Sequence, residues 1–316
     1  MSAMSSNRWV AGKYELIEPV GEGGMAKVWR GVTHGAAGFT CPVAIKRVLP
    51  NLASDASFVA MFVEEARVVS ELQHPNIVQI HDFDQDDEGR YFIVMEWIDG
   101  IDLDTWMRAF PERQTPWHLV TAIGIEILRA LSCAHERVDG AGRPAPIVHR
   151  DVTPANVLMS VMGIVKLADF GLARAADRAA MTAPGIVKGK LSYLAPELVK
   201  RQQATPRSDI FGVGIVLWEA LAGRPLFGGG DAIEVLKRIA AHQVPSIRDF
   251  RPDIPAALAE VVHTALAQAP NDRFESAEEM SRAMASILRG QHEPIDEKAL
   301  ARAVRDVYAK KHSSRD

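Results

Sequence analysis

Cysteine is almost missing from this sequence: Cys41 and Cys133 stand far apart, without a CxxC spacing, in 316 residues. That excludes a disulfide framework and a four-ligand zinc site, and it predicts a reducing, cytoplasmic setting. Long hydrophobic runs are missing too. The longest, Ile210 to Leu221, follows Asp209, is interrupted by Glu219 and is too short to span a bilayer, so it predicts a buried helix and no membrane segment. The N-terminal MSAMSSNRW lacks the apolar core of a secretory leader. Neither sign of charge dominates: 36 Lys and Arg against 40 Asp and Glu give a formal net charge of −4, and nothing favours nucleic acid. Internal repeats, low-complexity tracts and a second folded domain are not visible. What remains, 47% hydrophobic and 24% charged residues, is the composition of an ordinary globular protein with room for two cores.

The chain is organised around Ile147 to Gly171. IVHRDVTPANVL delivers Arg150 and Asp151 at the end of a short apolar run, with Asn156 five positions after the aspartate. A hairpin turn at Met162 and Gly163 then leads into VKLADFG, which ends in Asp169, Phe170 and Gly171. Carboxylate and amide oxygens suit a hard cation such as Mg²⁺ that also holds phosphate, and a further carboxylate is then available to accept a proton from an attacking hydroxyl. Together these are the requirements of phosphoryl transfer.

Upstream, Tyr14 to Arg30 alternates in hydrophobicity on both sides of the glycine-rich turn Gly21, Glu22, Gly23, Gly24, Met25 and Ala26, which predicts two strands joined by that turn. Glycine lets backbone N–H groups approach a phosphate with no side chain in the way. A strand follows the turn, where a dinucleotide-binding fingerprint would need a helix. Val43 to Lys46 is the next predicted strand, and Ala56 to Leu72 shows helical spacing of Phe58, Met61, Phe62, Val69 and Leu72, with Glu64 and Glu65 both candidates to pair with Lys46. Ile77 to Phe83 and Tyr91 to Trp97 alternate as strands, and the acidic DQDDEGR between them, Asp84 to Arg90, predicts a solvated hairpin loop. From Leu103 the pattern turns helical, with a long helix expected over Pro116 to His135.

HRD-x(4)-N followed by DFG is a compound motif, and from about Tyr14 to about Leu288 the chain resembles the eukaryotic-like Ser/Thr protein kinases of bacteria. The resemblance implies an α+β bilobal fold: a tail at 1–13, a small, mainly-β N-lobe at 14–98 with one main helix, a larger, mainly-α C-lobe at 99–290, and a linker, C-terminal helix and tail at 291–316. It implies ATP and Mg²⁺ as cofactors and a protein Ser or Thr hydroxyl as acceptor. Asp151 would accept the hydroxyl proton, Asn156 and Asp169 would hold the metal, and Lys46, paired with Glu65, would hold the α and β phosphates. The glycine-rich turn from Gly21 to Ala26 would cover those phosphates, with Ala26 where the family has its third glycine. Val20, Val28, Ala44 and Leu158 would sandwich the purine, Met95 would guard the back of its pocket, Glu96 to Ile98 would bond its edge through the backbone, and Asp102 would reach the ribose hydroxyls. His149 reads as a packed core histidine.

Leu172 to Glu197 is long and poor in periodicity, as expected of a loop that can order or disorder. By resemblance Glu197 of the APE segment pairs with Arg273, Asp209 and Gly214 belong to a helix anchoring the catalytic loop, and Arg150, before the catalytic aspartate, and Arg174, after the DFG motif, face the middle of the Leu172 to Glu197 loop; a phosphate on Thr182 would pair with both, so activating trans-autophosphorylation there, with self-association, is expected. Two positions depart from the pattern: Thr153 stands where most Ser/Thr kinases carry lysine, and Lys190 where they carry threonine. An ATP-binding pseudokinase or scaffold is the alternative that these departures keep open. Asp296 to Ala309 predicts a final helix with Leu300, Val304, Val307 and Tyr308 on one face.

Overall fold

The computed structural model describes residues 9–110, 115–170, 190–290 and 297–313, with the side chains of Glu65, Lys190 and His312 outside the description. The described residues fall into two compact units, one of 9–73 and 78–97 and one of 74–77, 98–170 and 190–313.

The first unit is an antiparallel sheet with one helix. Its strands are β1 (Trp9–Val10), β2 (Tyr14–Glu22), β3 (Ala26–His34), β4 (Thr40–Val48), β5 (Ile80–Gln85) and β6 (Tyr91–Glu96), in the order β1-β2-β3-β4-β6-β5. Period-two alternation sorts the side chains. Val10, Tyr14, Leu16, Val43, Ile45, Phe92 and Val94 form a buried cluster with Trp29 packed against it. Helix α1 (Ala56–Ser70) starts where the Asp55 carboxylate accepts the N–H groups of Ser57 and Phe58, and it buries Phe58, Phe62, Ala66 and Val69 at helical spacing.

Two expectations for this region need correction. The strand predicted from Ile77 begins only at Ile80. Ile77 instead forms a parallel bridge to Leu167, because Asn76 donates its amide to Val165 O at 2.8 Å and accepts Leu167 N–H at 2.8 Å. The acidic stretch from Asp84 is not simply solvated either. Asp86 is buried, accepts Arg90 and Glu88 backbone N–H groups at 2.9 Å, and binds the guanidinium groups of Arg47 and Arg90. Its carboxyl is pushed up by burial, but those cations and N–H groups outweigh that and hold it below the usual aspartate range.

The second unit opens with β7 (Gly100–Asp102), α2 (Leu103–Arg108) and α3 (Trp117–His135). Then come β8 (Val157–Ser160) and β9 (Val165–Leu167), which with β7 form a small sheet in the order β7-β8-β9. The helices that follow are α4 (Pro196–Val199), α5 (Pro206–Ala222), α6 (Ala232–Ala240), α7 (Ala256–Ala265), α8 (Ala277–Arg289) and α9 (Glu297–Ser313). Helix α5 contains the apolar run read as a buried helix, and every residue from Ser208 to Leu221 is buried. A capping box between Thr205 and Ser208 starts it and left-handed Gly223 ends it. Helix α3 is long and apolar enough to cross a membrane by length and composition, and 67% of that stretch is buried inside the unit. Its Gly124 allows close packing: a Cβ there would lie 2.7 Å from Met284 and 2.8 Å from Leu217.

Candidate active site

In the first unit the strand register gathers one set of predicted residues on one sheet face. Lys46 lies opposite Val28 on β3 and Ile93 on β6, while Ala44 lies opposite Met95. Since neighbours across strands share a face, Val28, Ala44, Lys46 and Met95 lie together, on the side away from the Val43 and Ile45 core. Met95 is buried, Lys46, Val28 and Ala44 are half-buried, and Val20 is 48% exposed. The predicted six-residue turn is tighter than expected. Gly21 and Glu22 continue β2 and Ala26 opens β3, so only Gly23, Gly24 and Met25 turn, closed by Gly23 N–H on Ala26 O at 3.0 Å. Glu22 forms an ion pair with Lys27 at 2.9 Å. The Glu96 N–H is engaged by Gln79 O at 3.0 Å, and its carboxylate accepts Gln79 N–H at 2.8 Å. Glu64 is exposed and paired with Arg67, as a solvent-facing charge should be, and Glu65 lies in α1.

In the second unit the catalytic-loop residues hang on one buried carboxylate. Asp209, near the start of α5, accepts the backbone N–H of His149 at 2.7 Å and that of Arg150 at 2.8 Å, and it also binds His135 Nε2 at 2.8 Å. Held this way, Arg150 adopts φ 67, a left-handed conformation that is costly for a side chain other than glycine. His149 donates Nε2–H to Ala168 O at 2.9 Å and accepts Asp151 N–H on Nδ1 at 3.2 Å, which fixes one neutral tautomer. Full burial lowers its pKa and outweighs the carboxylates of Asp209, Asp151 and Asp169. Its ring packs on Phe170 at 4.5 Å between centroids, in keeping with the packed-core reading.

Asp151 is buried, and Asn156 donates Nδ2–H to its carbonyl at 2.7 Å and to its carboxylate at 3.0 Å. With the nitrogen committed, the oxygen is the end of Asn156 suited to a cation. A one-turn 3₁₀ helix, Pro154–Asn156, sets this spacing, and Ala168 N–H on Asn156 O at 2.8 Å brings the residue before Asp169 alongside it. Asp169 adopts φ 61, a second strained non-glycine position in the motif. An amide oxygen and a carboxylate are hard donors that fit Mg²⁺ better than zinc, and among the described residues no group of three or more His, Cys, Asp or Glu is placed to hold a metal by itself. Two such donors would leave most of a cation's coordination to other ligands.

Leu158, half-buried on β8, pairs with Asp102 of β7. The Asp102 carboxylate caps α2, accepting Thr105 N–H at 2.7 Å and Thr105 Oγ1–H at 3.1 Å. Thr153 is buried beside Asp151, and Lys190 starts a 3₁₀ turn, Lys190–Tyr193. Gly171 and Thr182 lie outside the described residues. Sequence reasoning missed His135, which carries no local signal beyond ending a helix, and Ser208, which donates to Glu197 at 2.8 Å. Glu197 and Arg273 form the expected clamp, with two bonds of 2.8 Å between guanidinium and carboxylate. Every other guanidinium N–H of Arg273 reaches a backbone carbonyl, of Ala267, Arg207 or Gln268.

The chain matches the protein kinase domain family over residues 14–284. It is 38% identical over 279 residues to the tyrosine-protein kinase MasK of Myxococcus xanthus, covering 88% of this chain and 43% of that protein. It is 35% identical over 273 residues to the serine/threonine-protein kinase PrkC of Bacillus subtilis, covering 86% of this chain and 40% of that protein. Among solved structures, the PknI kinase domain of Mycobacterium tuberculosis superposes with a TM-score of 0.65 at 32% identity, over 90% of this chain and 99% of that one. The chain therefore belongs to the protein kinase family, whose members use ATP and a divalent metal. Proteins named as serine/threonine kinases recur among its relatives, among them the probable serine/threonine-protein kinase PknB of Lactococcus lactis at 36% identity. The chain spans about two-fifths of the length of the Myxococcus and Bacillus relatives above.

Proposed function

We propose that this protein transfers the γ-phosphoryl group of ATP to a Ser or Thr hydroxyl of a protein substrate. The observation that carries the reading is the Asp151 arrangement: a buried carboxylate oriented by the Asn156 amide, in a loop fixed from below by Asp209. Asp151 orients the acceptor hydroxyl and takes its proton as the oxygen attacks phosphorus. Asn156 and Asp169 hold Mg²⁺, which neutralises charge on the phosphates. Lys46, supported by Glu65, fixes the phosphates, the glycine-rich segment Gly21 to Ala26, which turns at Gly23, Gly24 and Met25, covers them, and Val20, Val28, Ala44, Met95 and Leu158 provide apolar contact for the purine. Glu96, Ile98 and Asp102 complete nucleotide recognition.

Lys190 supplies the γ-phosphate charge that Thr153 cannot, with Thr153 as its hydrogen-bonding support. Phosphorylation of Thr182 in trans by a second copy switches activity on by giving Arg150 and Arg174 an anionic partner. The setting is cytoplasmic.

The test is incubation of the purified protein with γ-labelled ATP, Mg²⁺ and a generic basic protein, followed by phosphoamino-acid analysis. Phosphoserine or phosphothreonine is expected. The printed name of the Myxococcus relative makes phosphotyrosine the result that would overturn the acceptor class.

A further inference from the structure

Helix α9 begins beyond residue 284, where the family match ends, yet it is built into the second unit. Leu300, Ala301, Val304 and Val307 are buried along one face, and the helix lies against β7 and β8. At its start it meets Gly163, in the turn between β8 and β9. A Cβ on Gly163 would lie 2.0 Å from Glu297 O and 2.8 Å from Ala301 N. Gly163 also has φ 88, so both the turn and the close approach require glycine. Farther along, about 16 Å by helix rise, the Tyr308 hydroxyl donates to the Asp99 carboxylate at 2.9 Å. Asp99 directly precedes β7, and its carbonyl accepts Val161 N–H at 2.8 Å, tying the entry of β7 to the end of β8.

This sheet carries several residues of the proposed nucleotide site. Asp102 ends β7, Asn156 directly precedes β8, Leu158 lies within β8, and Asp169 follows β9. Both attachment points of α9 are on the connections of that sheet: one on the β8 to β9 turn and one at the entry of β7. A helix fixed at two such points limits how the strands shift against each other.

We infer that α9 is a positioning strap for nucleotide binding, acting through Tyr308 on Asp99 and through its buried face on β7 and β8. The inference rests on the proposed function, because it takes Asp102 and Leu158 as nucleotide-facing. Tyr308 and Val304 act through these residues and touch no substrate.

The test compares the full chain with Tyr308→Phe and Val304→Asp, reading ATP affinity by equilibrium titration, KM and kcat in the transfer assay, and hydrogen exchange of the β7 and β8 amides. Loss of one hydrogen bond predicts about a threefold rise in KM for ATP in Tyr308→Phe. Undocking in Val304→Asp predicts at least a tenfold rise, with kcat within about twofold in both variants and faster exchange in β7. Asp99→Ala combined with Tyr308→Phe should be no worse than either change alone. If both variants lose thermal stability while KM and ATP affinity stay at parent values, α9 is a structural appendage and the inference is overturned. A parent protein that binds no ATP at all would overturn the proposed function together with the strap, a different outcome from parent binding that the variants leave unchanged.

Discussion

The carboxylate of Asp209 accepts the backbone N–H of His149 at 2.7 Å, across 60 residues of sequence, and this bond sets the conformation of the loop that carries Asp151. The same carboxylate takes Arg150 N–H and His135 Nε2, so its removal leaves three donors without their partner inside the unit. Each such buried donor costs about 1 to 3 kcal/mol. Asp209→Ala should lower the melting temperature and reduce kcat by at least a hundredfold, and Asp209→Asn, which keeps one acceptor oxygen, should fall between it and the parent. Calorimetry and the transfer assay check the order. An alanine variant with parent kcat would show that the loop holds its shape without this anchor.

Glu197 predicts an acid limb in stability. Burial pushes its carboxyl up, but hydrogen bonds from Arg273, from its own backbone N–H and from Ser208 outweigh that and hold it below the ordinary glutamate value of 4.5. Because the native state gives up this proton more readily than the unfolded chain, the stabilisation is complete above about pH 4.5 and is lost as the pH falls through the lower native value. Glu197→Gln should be less stable at neutral pH, since it strands the Arg273 charge, and should show a flatter decline between pH 5 and pH 3. Urea midpoints across that range decide it, and parallel curves for parent and variant would contradict the assignment.

Much of the site is legible because phosphoryl transfer needs hard oxygen donors at fixed spacing, and Asp151, Asn156 and Asp169 show that spacing in the sequence itself. Period-two alternation likewise reveals the strand carrying Lys46. Asp86 is not legible. Its neighbours are acidic and polar, as in any solvated loop, and the reason for its burial is Arg47 on a strand 39 positions away. Helix α9 is visible as an apolar stripe, predicted over 296–309 and found as Glu297–Ser313, but its partner Asp99 lies 209 positions from Tyr308, beyond the reach of any local pattern.

The proposed metal ligands should outrank Glu65, the proposed partner of Lys46. Without Asp169 the phosphates keep their charge in the transition state, whereas without Glu65 Lys46 is only less well held. At about 1.4 kcal/mol per decade of rate, Asp169→Ala should lose several decades of kcat and Glu65→Gln roughly one to three. Equal losses in parallel assays would contradict the ranking.

The exchange of lysine and threonine between positions 153 and 190 gives a reciprocal test. Lysine is a flexible point charge, so it can serve a phosphate from a new position in the chain better than an arginine fork could. Lys190→Met should lower kcat at least tenfold with little change in ATP affinity, and Thr153→Lys combined with Lys190→Thr should restore much of it. Parent kcat in Lys190→Met would assign the γ-phosphate to the metal and Lys46 alone.

The most direct measurement of the whole account separates binding from transfer at Asp151. In Asp151→Asn the carboxylate proposed to take the hydroxyl proton becomes an amide of the same shape, while Lys46, Asn156 and Asp169 are unchanged. ATP titration of this variant should give the parent dissociation constant within about twofold, and single-turnover transfer from γ-labelled ATP should fall by roughly a hundredfold or more, the range expected for a lost proton acceptor. Parent-level transfer in Asp151→Asn would contradict the account.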